Sequence, residues 1–213
     1  MRLSSGKFTI VGLRSACYGT TLLLCSLLLV TSPLSVAAKE SAGKYRSMGE
    51  VALSERRYND ALSYYNKAIE MEPDNAKNYN AMFKVHKRMR KIELALEDLN
   101  KALELADEAD PKRSEYLRER SKLYVSLGRC ARALDDIDYV IRRGSPNERD
   151  IKTHNDLEVC AVSIESATVS FTKNDWNEVR RHLDIAIPFT EKAVDLLYMR
   201  AKAVSIEIGL LLL

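Results

Sequence analysis

The chain has 213 residues, 46% of them hydrophobic and 30% charged, an ordinary globular balance that excludes collagen-like, disulfide-dense and fully disordered chains. Its 33 basic and 30 acidic residues give a formal charge of +3, but Arg2, Lys7 and Arg14 lie in an opening stretch of 38 residues that contains no Asp or Glu. The remainder is balanced at 30 and 30, which argues against nucleic acid as a partner unless charge is segregated on one face.

Ser15 to Ala38 carries no charge and holds an apolar run from Leu22 to Val30, interrupted only by Cys25 and Ser26. This is the pattern of a secretory signal: Pro33 follows the run, and Val36-Ala37-Ala38 supplies the small residues needed for cleavage before Lys39. An uncleaved signal anchor is the alternative, because 24 uncharged residues can cross a bilayer core, although the apolar run is nearer a signal core than the roughly 20 residues of a span. Either way everything after Lys39 is expected in the endoplasmic reticulum lumen or outside the cell, with membrane contact only if the leader is retained. Cys17 and Cys25 belong to the leader. Cys130 and Cys160 remain; an oxidising compartment permits a bridge between them, but the expectation is two small buried side chains.

From Lys39 onward apolar residues recur at helical spacing, and the pattern itself repeats. Counting Ala42 as position 1 puts Tyr45, Met48, Gly49, Tyr58, Ala61, Tyr65, Ala68 and Pro73 at positions 4, 7, 8, 17, 20, 24, 27 and 32. Small residues at 8, 20 and 27 let two antiparallel helices approach, while large ones at 4, 7, 17 and 24 fill the space between them. A second unit starts at Ala76, with Tyr79, Met82, Ile92, Ala95, Leu99 and Ala102 in register and Phe83 standing where position 8 wants a small residue. The third starts near Ser114, with Leu117, Gly128, Ala133 and Ile137, and comes four residues late; a loop insertion over Asp107 to Pro111 is expected to absorb the difference. Gly144-Ser145-Pro146 breaks the pattern. A long helix from about Glu148 to Thr172 follows, then a turn at Asn174-Asp175 and a second helix carrying Trp176, Val179, Leu183 and Ala186. A fifth unit is expected to contribute one helix from about Glu191 to Ile208, with Gly209 as its turn. Leu210 to Leu213 stand where a covering helix would come, so a shortened form of a longer repeat protein is expected.

This register resembles the tetratricopeptide repeat. The resemblance implies an all-α fold, a right-handed superhelical solenoid of antiparallel helix pairs, with three repeats over 39–146 and the long helix, a fourth repeat and a truncated fifth over 147–213. With the leader, the run Asn174-Asp175-Trp176-Asn177-Glu178-Val179 and the strings Tyr58-Asn59-Asp60-Ala61-Leu62 and Met71-Glu72-Pro73-Asp74-Asn75, the chain also resembles the repeat-bearing half of the endoplasmic-reticulum DnaJ co-chaperones. That family implies a lumenal module whose repeats hold unfolded polypeptide clients, a BiP-type chaperone as partner, and a regulatory role toward kinases that phosphorylate translation initiation factor two. Its ATPase-stimulating J domain needs His-Pro-Asp. The nearest string, His154-Asn155-Asp156, lacks the proline, so only client binding and the kinase-directed role carry over.

Function in such a solenoid lies on the concave face, lined by positions 2, 5, 9 and 12 of each first helix. The expected apolar contacts for a client are Leu53, Tyr45 and Tyr79, with Arg46, Asn80, Lys84, Arg118 and Lys122 as a polar rim. Position 4 normally packs between helices, so Tyr45 and Tyr79 have a core role as the alternative. A specialised clamp for acidic peptide termini is rejected: its places hold Arg46, Glu50, Ala81, Glu115 and Glu119, and three carboxylates would repel the ligand.

Catalysis, cofactors and metals find no support in the sequence. His86, His154 and His182 lie far apart without a ligand-spaced partner, and the acidic pairs Glu97-Asp98 and Asp135-Asp136 look like solvated helix faces. No phosphate loop or nucleophile elbow occurs. The expectation is a binding module that holds partly unfolded polypeptides, with a single-partner adaptor or a kinase inhibitor as rivals.

Overall fold

The computed structural model describes residues 41–143, 146–190 and 193–211, with side chains described as far as Gly209. The leader with its cleavage site, Cys17 and Cys25, the Gly144-Ser145 break and Glu191 lie outside these residues. The described residues form α-helices and one 3₁₀ turn: α1 (Ala42–Ser54), α2 (Tyr58–Met71), α3 (Ala76–Arg88), α4 (Ile92–Leu105), α5 (Pro111–Ser126), α6 (Cys130–Arg143), α7 (Glu148–Thr172), α8 (Trp176–Ala186), the 3₁₀ turn (Ile187–Phe189) and α9 (Val194–Leu211). Helices pack as the hairpins α1/α2, α3/α4, α5/α6 and α7/α8, and each hairpin stacks on the next.

Five helix starts have a side-chain cap. Ser41, Asn75, Asp110, Asn147 and Asp175 accept a backbone N–H of the following first turn, satisfying donors that have no partner within the helix. Each hairpin turn has the same solution. Arg56, Arg90, Gly128 and Asn174 all occupy position 15 and all have positive φ, at 62°, 59°, 71° and 58°. The residue after each donates its N–H back five residues, as in Arg57 to the Ala52 carbonyl (2.8 Å) and Arg129 to the Tyr124 carbonyl (2.8 Å), which is the Schellman closure. Glycine and asparagine suit this backbone; in an arginine it costs about 1–2 kcal/mol.

Inside the hairpins, bulk at position 8 is exchanged for bulk at position 24. In α1 Gly49 leaves room for the fully buried Tyr65 ring, and a Cβ there would come within 2.7 Å of Tyr65 Cζ. In the second hairpin Phe83 is itself buried and Leu99 is the smaller partner. In the third the small residue is Ser121, whose hydroxyl donates to the Ala133 carbonyl at 3.0 Å. The departure of Phe83 is therefore compensated across the pair.

The structure corrects four expectations. The extra residues before the third unit do not form a simple loop: α5 begins at Pro111, three residues ahead of the repeat register, because Asp110 caps it and proline is well suited to the first turn. Gly209 is not a turn, since α9 continues through it to Leu211; one exposed glycine weakens a helix by about 1 kcal/mol but does not end one followed by leucine. The last helix also starts at Val194, after Pro188 diverts the chain into the 3₁₀ turn. Finally, Cys130 and Cys160 are joined by a disulfide linking α6 to α7. Both side chains are buried as expected, and stacking of the two helices brings their Cα atoms to 5.9 Å, within bridging reach.

Two stability measurements test this scaffold. Alanine is favoured over glycine in a helix by about 1 kcal/mol, yet Gly49→Ala is expected to destabilise by about 1–2 kcal/mol because the Tyr65 ring has no space to retreat into; urea unfolding reads the difference. The bridge closes a loop of 30 residues, so reduction, or Cys130→Ala with Cys160→Ala, should cost about 3–4 kcal/mol in the same assay.

Candidate functional site

The first helices α1, α3, α5 and α7 face a trough made of three linked cavities. The first, of about 600 Å³, lies between the ends of α1 and α3 and is lined by Glu50, Leu53, Arg56, Tyr58, Lys84 and Arg88. The second, about 570 Å³, shares Leu53, Lys84 and Arg88 with the first and adds Asn80, Phe83, Lys87, Arg90, Glu115 and Glu119. The third, about 600 Å³, shares Lys87 and continues along α5 and α7 past Arg118, Lys122, Leu123, Val125 and Arg149, with Ile137 and Phe189 among its apolar lining.

Five of the expected contact residues line this trough: Leu53, Asn80, Lys84, Arg118 and Lys122. Three do not. Tyr45 is buried against Met48, Tyr64 and Ala68, with the Lys67 ammonium 5.3 Å from its ring centre. Tyr79 packs half-buried on the main core. Both follow the inward course of position 4. Arg46 is taken up by the joint between the first two hairpins: it donates to Glu72 Oε2 (2.9 Å) and to Asn78 Oδ1 (2.8 Å). Asn78 is fully buried and donates in turn to the carbonyls of Ala68 (3.1 Å) and Glu72 (2.8 Å). The guanidinium beside Glu72, together with Asn75, holds the Glu72 carboxyl below its ordinary range.

Arg118 repeats this arrangement two units on. It grips Asp150 in bidentate fashion, Nε to Oδ1 at 2.9 Å and Nη2 to Oδ2 at 2.8 Å. Asp150 also completes the capping box of α7, accepting from the Asn147 N–H at 2.9 Å. Hydrogen bonds from Arg118 outweigh burial, and the Asp150 carboxyl is held low. Arg46 and Arg118 both stand at position 5 and both reach 32 residues ahead to the third residue of a following first helix.

Along the trough wall Lys87 and Lys122 both donate to Glu119, the second at 2.6 Å. Burial alone would raise the Glu119 carboxyl, but the two ammonium groups hold it below the usual range. By contrast the side chains of Arg56, Lys84, Arg88 and Arg90 make no hydrogen bond or ion pair among the described residues.

Several polar residues that looked solvated are structural. Asp98 is buried against His86, Nδ1 to Oδ2 at 2.6 Å, and burial pushes its carboxyl up to about 6. Asp136 is buried and held by Arg120 at 2.9 and 2.6 Å. Both stand at position 23, facing the first helix of their own hairpin. The exposed members of the pairs are Glu97 and Asp135. His154 and His182 each meet one carboxylate, Asp138 at 2.7 Å and Glu178 at 3.4 Å.

This is the fold of a tetratricopeptide-repeat protein, and the Tetratricopeptide repeat family profile matches residues 47–75. The chain is similar to DnaJ homolog subfamily C member 7 of mouse, 26% identical over 152 residues, covering 71% of this chain and 30% of that protein. It is also similar to DnaJ homolog subfamily C member 3 of rat, 31% identical over 145 residues, covering 66% of this chain and 28% of the relative. The crystal structure of the P58(IPK) TPR domain superposes with a TM-score of 0.63 at 24% identity, over 78% of this chain and 46% of that one. The match therefore spans less than a third of the length of either curated relative.

The Arg118–Asp150 pair has a measurable signature. Removing the guanidinium leaves a buried carboxylate unpaired, so Arg118→Met should cost about 2–4 kcal/mol at neutral pH. Because the folded-state pKa of Asp150 is depressed, this contribution is complete above the unfolded value of about 4 and is lost as pH falls through the lower folded value. Urea unfolding across pH should therefore show parent and variant converging in strong acid.

Proposed function

We propose that the chain is a lumenal, co-chaperone-like binding module that holds unfolded or partly folded polypeptides in the trough of its repeats and performs no bond chemistry. The observation that carries this reading is the trough itself: three linked cavities on stacked rigid helices, with apolar residues on the floor and charged ones at the rim. Such a surface offers an extended chain both burial for side chains and polar partners for its backbone. The Cys130–Cys160 bridge supports an oxidising compartment, the lumen or the secretory route, because such bonds are rare in reducing cytosol. The similarity to two DnaJ homologs supports work beside an Hsp70-type partner; this chain's own repeats supply the polypeptide-holding part of that work.

The test is suppression of aggregation of a chemically denatured client by the purified chain. Leu53 is half-buried and lines two of the cavities; Leu53→Asp should weaken client retention by about 1–2 kcal/mol, five- to thirtyfold, while leaving the melting curve close to that of the parent. Enrichment of one native protein from a lysate, with no effect on several denatured clients, would instead favour a dedicated adaptor.

A further inference from the structure

The first and last described helices differ in what they turn outward. α9 is fastened to α8 by Leu196 and Ala203, which are buried with Val179 and Leu183, and by the pairs Arg200 to Asp184 (2.5 Å) and Arg180 to Glu207 (3.2 Å). Its other side is exposed and apolar. Val194 (72% exposed), Leu197 (49%), Tyr198 (70%) and Ile208 (53%), with the exposed Ala201 and Ser205, fall within about 100° of the circumference of a helix with 3.6 residues per turn. The end unit of a solenoid normally turns a polar surface outward. α1 follows that rule: it exposes Lys44, Ser47, Glu50 and Ser54, with Val51 as its one exposed large apolar side chain.

The stripe on α9 matches itself. Its small residues, Ala201 and Ser205, lie toward the middle and its bulky ones toward the ends, so a second α9 laid antiparallel across it approaches closely at the centre and sets Val194 of each copy near Ile208 of the other. Charge points the same way. Asp195 and Lys202 flank the stripe on one side, two turns apart. Asp195 makes no hydrogen bond or ion pair among the described residues, and Lys202 rests only on the Phe171 ring, 5.1 Å from its centre. In an antiparallel pair with two-fold symmetry like flank meets like flank, so Asp195 comes within side-chain reach of the partner's Lys202, and the symmetry makes that contact twice. Parallel pairing would oppose Asp195 to Asp195. Head-to-tail stacking would lay the stripe on the polar surface of α1. A lipid surface fits less well, because one acid and one base beside the stripe give no basic excess for anionic headgroups.

We infer that the chain forms a two-fold dimer in which α9 packs antiparallel against α9 of a second copy. One helix against one helix buries less than the interface of a permanent dimer, so the association is expected in the micromolar range. None of the three cavities of the trough is lined by an α9 residue, so both troughs stay open and the inference stands apart from the holding function.

The test is sedimentation equilibrium of the purified chain from about 1 to 100 μM, over which the average mass should rise from that of one chain toward twice that value. Leu197→Ser with Tyr198→Glu, both outside the core, should weaken self-association at least about tenfold and leave the circular dichroism spectrum and client retention unchanged. Asp195→Lys alone and Lys202→Asp alone should each weaken it about three- to tenfold, whereas the two together should restore it, because the pairs re-form with their signs exchanged. A monomer throughout the range overturns the inference. So does a dimer that the Leu197 and Tyr198 substitutions leave intact, since it uses another surface, and so does a double reversal no better than either single one, since the helices are then not antiparallel. If the chain stays monomeric but pellets with phosphatidylcholine vesicles, and the Leu197 and Tyr198 variant does not, the stripe is a lipid-binding face and the inference is again overturned.

Discussion

A helix pair that must stay in contact along its length has to reverse direction within about three residues, and one residue at positive φ accomplishes this in every hairpin described. The constraint reaches well beyond the turn. Because position 15 always closes the turn in the same way, position 8 always returns opposite position 24, and the exchange of bulk between Gly49 and Tyr65 or Phe83 and Leu99 becomes possible. Had the turns differed, each hairpin would need its own packing solution, and the first helices would not share one face. The trough is a consequence of four equal turns.

Apolar packing closes each hairpin but does not by itself fix the rotation of one hairpin on the next, since methyl and methylene surfaces tolerate sliding. Directional polar contacts do that here. Arg46 with Asn78, and Arg118 with Asp150, link a first helix to the one after it, while Arg113 reaches back to the last carbonyls of α4, at Leu103 (2.7 Å) and Ala106 (2.8 Å). Asn78 serves the same carbonyl-capping role for α2. At the passage to the long helix the covalent bridge of Cys130 and Cys160 joins the polar contact of Arg118.

Helix periodicity and end signals made most of the architecture legible. The 25-residue α7 runs from Glu148 to Thr172, and only the residue preference at its two ends was needed to place it. The inner-face positions 2, 5, 9 and 12 were equally readable, because a solenoid repeats its geometry, and most of them line the trough. What the sequence concealed were contacts between distant positions. Asp98 and Asp136 carry a charge, and in a linear reading a charge on a helix belongs to solvent; that each is buried depends on His86 and Arg120, 12 and 16 residues away on the partner helix. Arg46 and Arg118 looked alike as rim residues, and nothing within one repeat reveals that both are bound 32 residues downstream. Comparison of the third residue of successive first helices, Asn78 against Asp150, would have been the available signal.

The rim therefore divides by what its charges do for the scaffold. Arg118 and Lys87 are already oriented by carboxylates, so a ligand meeting them pays little side-chain entropy but must compete with Asp150 or Glu119. Lys84 and Arg88 have no such competitor among the described residues, yet each must be immobilised on binding, at about 0.5–1.5 kcal/mol. A surface that combines the two will hold many sequences moderately and few very tightly. For the holding function proposed above, that balance would suit transient retention, and it follows from which arginines the fold has already used to join its repeats.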